Sequence, residues 1–100
     1  MTYETAEQVV GIAWYDRAQW ALLKQVAADR AELDESYEAW EMQALEAEQM
    51  VAAADQKVVR VPVNVTELAT WCLQERLPNT RSSRAQYVAQ AMQRDNSAGA

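Results

Sequence analysis

The side chains that most often carry out catalysis are scarce in this chain. Its one hundred residues include no histidine, which is the commonest general base and is needed by every Ser–His or Cys–His pair. The single cysteine, Cys72, lies between Trp71 and Leu73 on the apolar side of a predicted helix. A thiol in that setting usually packs as a small hydrophobic side chain. We therefore expect a protein that is not an enzyme.

Carboxylates are frequent between residues 32 and 48, and their density raises the question of a metal site. The di-metal sites of helical bundles pair a glutamate with a histidine three residues later, and a chain without histidine cannot form that pair. The sequence also lacks a glycine-rich phosphate loop and a nucleophile elbow. We expect no metal and no cofactor, and we interpret the acidic run as the solvated face of a helix.

Aromatic side chains are the other group with chemical potential. Trp14, Tyr15 and Trp20 lie within the stretch WYDRAQW, and folding can bring Trp40 and Trp71 beside them. Two interpretations stay open for this cluster. It is either core or dimer interface, or it is the wall of a small-molecule site.

Charge is divided unevenly along the chain. Residues 1–56 carry twelve acidic and three basic side chains, a net charge of −9, whereas residues 57–94 carry six basic and two acidic ones, a net charge of +4. Asp95 completes the total of −6. This division predicts either a basic working half or two halves that attract each other within or between chains.

The first half of the chain shows the spacing of amphipathic helices. Thr5 followed by Gln8 fits a capping box and predicts a first helix that ends in a kink or break near Trp14. Asp16 with Gln19 caps a second helix over about residues 17–30, although the pattern does not decide whether these are two helices or one bent helix.

The next predicted helix has the clearest pattern. It covers about residues 37–54, with either Asp34 or Ser36 as its N-cap. Apolar residues recur there at three- and four-residue steps, whereas glutamates occupy the more polar faces.

The period changes to two at KVVRVPVNV, residues 57–65. Every second residue from position 59 is a valine, and these valines point to one face of a predicted strand: Val59, Val61, Val63 and Val65. Pro62 cannot donate a hydrogen bond, which places it at an edge or an unpaired position. No other segment has a convincing strand pattern. We therefore predict a homodimer in which residues 58–65 of two chains pair antiparallel across a two-fold axis, with these four valines at the interface.

Two shorter helices follow the strand. Asn64 and Glu67 predict the start of the first, which ends before Leu77 and Pro78. Asn79 or Thr80 caps the second. The predicted fold is therefore a mainly α single domain over residues 1–94, with four to five helices and one strand near residues 58–65, followed by a disordered tail over residues 95–100.

The order strand, helix, short loop, helix over residues 58–93 resembles the ribbon-helix-helix family of DNA-binding proteins. The matching segments are VVRVPVNV, VTELATWCLQERL and NTRSSRAQYVAQAMQ. The resemblance implies an antitoxin-like repressor in which Arg60 and Asn64 read bases, and Arg81 and Ser82 meet phosphate at a helix N-terminus. Pro62 at a central ribbon position and the acidic charge of the whole chain depart from that family's pattern.

The stretches AWYD, SYEAW, VRVPVNVTELATWC and RAQYVAQ are similar to those of a group of small bacterial proteins with no assigned activity. That resemblance implies a helical body with one strand. Nothing near Met1 has the pattern of a signal peptide, and no apolar run is long enough to cross a bilayer. We expect a cytoplasmic protein that forms a homodimer and has a binding or regulatory role. Its further partner is expected to be a protein or, as an alternative, DNA.

Overall fold

The computed structural model describes residues 9–99. The elements, in chain order, are β1 (Val9–Trp14), α1 (Arg17–Val26), a 3-10 turn (Arg30–Glu32), α2 (Tyr37–Ala53), β2 (Lys57–Pro62), α3 (Val65–Glu75) and α4 (Arg81–Gly99). The prediction of a mainly helical domain with a strand near residue 60 is confirmed. None of the helices within the described residues is long and apolar enough to span a membrane.

The segment before Asp16 corrects the sequence analysis, because it is a strand and the prediction was a helix. Its sequence, VVGIAW, contains three β-branched residues, which favour extended backbone, and a glycine, which weakens a helix. The capping residues proposed for that helix, Thr5 and Gln8, lie outside the described residues. The break before Asp16 is confirmed, so the chain has a strand followed by a helix at this place.

The two strands form a parallel pair within one chain. Val9 lies opposite Lys57 and Trp14 lies opposite Pro62. The segment between them, which contains α1 and α2, is therefore the crossover connection that two parallel strands require. β2 thus has a partner inside its own chain, which the prediction of a single strand did not foresee.

Opposite faces of this sheet are covered by different helices. Gly11, on one face, lies so close to α4 that a Cβ atom built on it would overlap the Met92 Sδ atom. Trp14, on the other face, packs edge-on against Trp40 of α2, with ring centroids 5.2 Å apart. The sheet is therefore held between α4 and α2.

Three predicted caps are present, each with a side-chain oxygen accepting a backbone N–H. Asp16 accepts from Gln19 at the start of α1, Ser36 accepts from Ala39 at the start of α2, and Asn64 accepts from Glu67 at the start of α3. Ser36, of the two candidates before α2, is thus the cap. These contacts are local in sequence, which explains why residue types alone locate them.

The helix boundaries differ modestly from the predicted ones. α1 ends at Val26, earlier than predicted, and a 3-10 turn occupies residues 30–32. α3 ends when Arg76 adopts a left-handed conformation with a φ of 59°. α4 continues to Gly99 and so includes residues 95–99, which the sequence analysis assigned to a disordered tail.

The core lies where α1, α3 and α4 meet the ends of the strands. Its largest fully buried side chains are Leu23, Val65 and Leu68. Cys72 is also buried, as expected of a small hydrophobic side chain. Tyr15 and Trp20 belong to this core, and Trp40 of α2 packs against it. Trp71 packs edge-on against Tyr87 of α4, with ring centroids 5.6 Å apart.

Candidate functional site

The two outer edges of the sheet differ in chemistry. Val63 donates its N–H to the Trp14 carbonyl over 3.0 Å. Because successive residues of a strand direct their backbone groups to opposite sides, Pro62 must face away from β1. The outer edge of β2 therefore carries a proline, and the strand also contains Lys57 and Arg60, which are residue types that discourage a further strand.

The outer edge of β1 has none of these features. The strand contains no charged residue and no proline. By the same alternation, Gly11 and Ala13 direct their N–H and C=O groups away from β2. No strand among the described residues pairs with β1 on that side. An apolar, unprotected edge is what proteins ordinarily avoid leaving open.

A cavity of about 570 Å³ lies along this edge. Residues 11–13 of β1 form its floor, and no residue of β2 contributes to it. One wall consists of Trp40, Gln43, Ala44 and Ala47 of α2. The opposite wall consists of Arg81, Arg84, Ala85 and Val88 of α4. We call this cavity the β1 groove; its volume lies within the range of roughly 300–1,000 Å³ that is usual for binding sites.

One end of the β1 groove is aromatic. The Tyr15 ring lies edge-on to both Trp20 and Trp40, with centroids 5.8 and 5.4 Å away. The Trp20 and Trp40 rings stack at 5.5 Å. Tyr15 and Trp20 belong to the core and also line the cavity. The core interpretation therefore holds for these two residues, and the small-molecule site stays a prediction.

A buried ion pair closes the same end. Arg84 donates through both terminal nitrogens to the two carboxylate oxygens of Asp29, each over 3.0 Å, and both side chains are about nine-tenths buried. The hydrogen bond from Arg84 is the main reason that the pKa of Asp29 lies below its ordinary value. Arg84 also donates to the side-chain and backbone oxygens of Asn79. This bidentate pair fixes α4 against the segment that follows α1.

Tyr15 brings a polar atom to the β1 groove. The residue is only 4% exposed, yet its hydroxyl makes no hydrogen bond to any part of the chain that the structure describes. Burial raises the pKa of Tyr15 to about 12, an effect that nearby Arg84 partly offsets and Asp29 reinforces. The hydroxyl therefore keeps its proton at neutral pH and can donate it to an acceptor in the groove.

The predicted dimer residues do not share one environment. Val63 and Val65 are 4% and 1% exposed and belong to the core of their own chain, whereas Val61 is half-buried and Val59 is 44% exposed. The homodimer through residues 58–65 stays a prediction. The original reason for it no longer applies, because β2 pairs with β1 within the chain.

The residues predicted to contact DNA mostly have partners inside the protein. Arg60 donates to both carboxylate oxygens of Glu48, over 2.6 and 2.9 Å. Its guanidinium carbon, Cζ, lies 3.9 Å from the centroid of the Trp14 ring. Asn64 caps α3. The backbone N–H of Arg81 donates to Asp29, whose carboxylate occupies the helix N-terminus expected to meet phosphate. Ser82 is exposed. DNA binding stays a prediction.

Sequence reasoning did not identify the β1 groove. Tyr15, Trp20 and Trp40 were singled out as an aromatic cluster, but the floor and the α4 wall were not. The run VVGIAW, with three β-branched residues before an aromatic one, is the signal that could have found β1. Within the described residues, no three Cys, Asp or Glu side chains gather into a set that could hold a metal ion.

Comparisons of this chain with protein-family models, with curated proteins and with solved structures each find no match.

Proposed function

We propose that the protein is a non-catalytic binding module that captures an extended segment of another polypeptide at the β1 groove. The segment adds a strand to the outer edge of β1, which makes main-chain hydrogen bonds the basis of affinity. The observation that carries the proposal is the outer edge of β1, which has no charged residue, pairs with no strand of residues 9–99 and lies at the bottom of a cavity between two helices.

The chemistry of the groove floor favours a polypeptide occupant. Gly11 and Ala13 present alternating backbone donors and acceptors at the spacing of a strand, and another strand is the natural complement of such a row. Residues 11–13 span about 10 Å at a rise of about 3.3 Å per residue. A strand of ordinary length therefore covers the floor.

The two helix walls favour a slender segment over a second copy of this sheet. α2 and α4 both project beyond β1, since each lines the cavity at its edge. A second β1 carries the same two helices, and these would meet the walls before the strands reached hydrogen-bonding distance of about 4.8 Å. A segment without flanking helices has no such obstacle.

Binding of a designed strand peptide tests this proposal. The probe is a dye-labelled peptide of about seven residues that alternates valine and threonine, and fluorescence anisotropy reports its binding. N-methylation of alternate residues gives two peptides of the same sequence, one methylated on its valines and the other on its threonines. We expect the peptide methylated on the residues that face β1 to lose binding, because those N–H groups donate to the strand, and the other peptide to keep it.

A pair of α4 variants locates the site. Ala85 and Ala89 are both exposed and lie one turn apart, but only Ala85 lines the groove. The Ala85→Phe variant should not bind the peptide, because the new ring fills the groove. The Ala89→Phe variant should bind the peptide as tightly as the native protein does. Equal tolerance of N-methylation at all positions, or equal binding by the two variants, would exclude strand addition at this groove.

A further inference from the structure

The two walls of the β1 groove differ in chemistry, and this difference selects the occupant's side chains. The α2 wall has no charged side chain; it consists of Trp40, Gln43 and two small alanines, Ala44 and Ala47, with Ala44 only 7% exposed. The α4 wall carries two arginines, Arg81 and Arg84, beside Ala85 and Val88. One wall is thus uncharged, with room over its alanines, and the other carries cationic groups.

An occupying strand must present alternate side chains to these two walls, because successive residues of a strand point to opposite faces. We propose that the partner is a segment of alternating pattern whose large apolar side chains, leucine or phenylalanine, fill the recess over Ala44 and Ala47, and whose polar side chains face α4. This inference rests on the proposed function and names the class of partner sequence.

Charge does not favour a strongly acidic or basic segment. The cavity is lined by two arginines, and by the carboxylates of Asp29, Glu32 and Asp34. Arg84 is paired with Asp29, and Asp34 accepts a hydrogen bond from the neutral amide of Gln43 but keeps its charge. Arg81 then stands against Glu32 and Asp34, a net charge of only −1, and so small a charge favours a neutral occupant whose affinity comes from apolar burial.

The Tyr15 hydroxyl supplies a polar contact for the same occupant. It lies on a residue that is more than nine-tenths buried and that lines the groove, and it makes no hydrogen bond within the described residues. The oxygen itself is accessible from the cavity, so water can bind it in the free protein, and an occupant that displaces this water must supply an acceptor. A backbone carbonyl of the added strand provides the acceptor that this O–H lacks.

Peptides that differ at one position test the apolar recess. In the alternating valine–threonine peptide, the central valine is replaced by leucine, phenylalanine, alanine or aspartate. We expect leucine and phenylalanine to bind about tenfold or more tightly than alanine, since each added methylene gains burial, and we expect aspartate to remove binding. Equal affinity for the alanine and leucine peptides would overturn the inference while leaving strand capture intact.

Variants of α2 show where the central side chain goes. Ala47→Leu fills the recess and should erase the preference for leucine over alanine. The control is Ala53→Leu, a change at an exposed position of the same helix outside the groove, and it should keep that preference. A preference unchanged by Ala47→Leu would also overturn the inference.

Tyr15→Phe tests the polar contact. The variant should fold like the native protein and bind the leucine peptide about fivefold more weakly, the usual effect of losing one net hydrogen bond. Unchanged affinity would show that the hydroxyl has no acceptor on the peptide. If none of these peptides binds at any concentration, both the inference and the proposed function fail.

Discussion

At the scale of single residues, the pair Arg84–Asp29 is the contact on which the groove's geometry most depends. It joins the start of α4 to the segment after α1 through two hydrogen bonds of 3.0 Å, and it is largely withdrawn from solvent. Removing one member of such a pair leaves the other charge buried without a partner, which is far more costly than losing an exposed ion pair.

Asp29→Asn should therefore lower the free energy of unfolding by about 2–3 kcal/mol, as measured by urea denaturation. The matched control is Glu38→Gln, which removes an ion pair with Arg17 whose two side chains are 62% and 69% exposed. That control should leave the urea midpoint unchanged, because exposed pairs contribute little. Equal effects of the two substitutions would contradict the role given to Asp29.

The same carboxylate predicts a dependence of stability on pH. Its pKa is lowered in the folded state, chiefly by the hydrogen bond from Arg84. Its contribution is therefore present above the pKa of the unfolded chain and is lost as the pH falls through the folded-state pKa. Urea midpoints measured between about pH 6 and about pH 2 should fall more for the native protein than for Asp29→Asn. Parallel curves would contradict this prediction.

At the scale of secondary-structure elements, local signals were predictable and the long-range pairing was not. Asp16, Ser36 and Asn64 cap helices through residues three positions away, so residue types and spacing locate them. The pairing of Val9 with Lys57 joins distant parts of the chain. β1, the partner of β2, was predicted to be a helix, because the spacing of apolar residues in so short a segment fits either a helix or a strand.

The groove could not be predicted for a related reason. The aromatic residues at its end were visible in the sequence, but a cavity arises only when α2 and α4 are placed on opposite faces of the sheet. That placement depends on Gly11, where absence of a side chain lets α4 approach the strand. Nothing in the sequence alone indicates which helix makes that approach.

The contact between β1 and α4 gives a prediction about Gly11. Gly11→Val should destabilise the fold by about 2 kcal/mol, since the new side chain overlaps Met92 and approaches the Val88 side chain. A double-mutant cycle with Met92→Ala should recover part of that loss, because a shorter side chain makes room. The same cycle with Met42→Ala, at an exposed position on α2, should be additive. Additivity with Met92 would contradict the described packing.

At the scale of the whole molecule, the division of charge is used within the chain. Arg60 and Arg84, from the basic half, pair with Glu48 and Asp29 of the acidic half. Of the two possibilities raised by the sequence, attraction between halves is therefore seen inside one chain. These pairs join α2 to β2 and the segment after α1 to α4, and thereby help to hold both walls of the β1 groove.

The central claim is that the outer edge of β1 is open and accepts a strand. Amide hydrogen exchange, resolved by NMR for each residue, tests it most directly. In the free protein, the amides of Gly11 and Ala13 should exchange faster than that of Ile12, which faces β2. Saturation with the leucine peptide should slow Gly11 and Ala13 by at least about tenfold and leave Ile12 unchanged. Protection of Gly11 and Ala13 equal to that of Ile12 in the free protein, or exchange unaltered by bound peptide, would contradict the account.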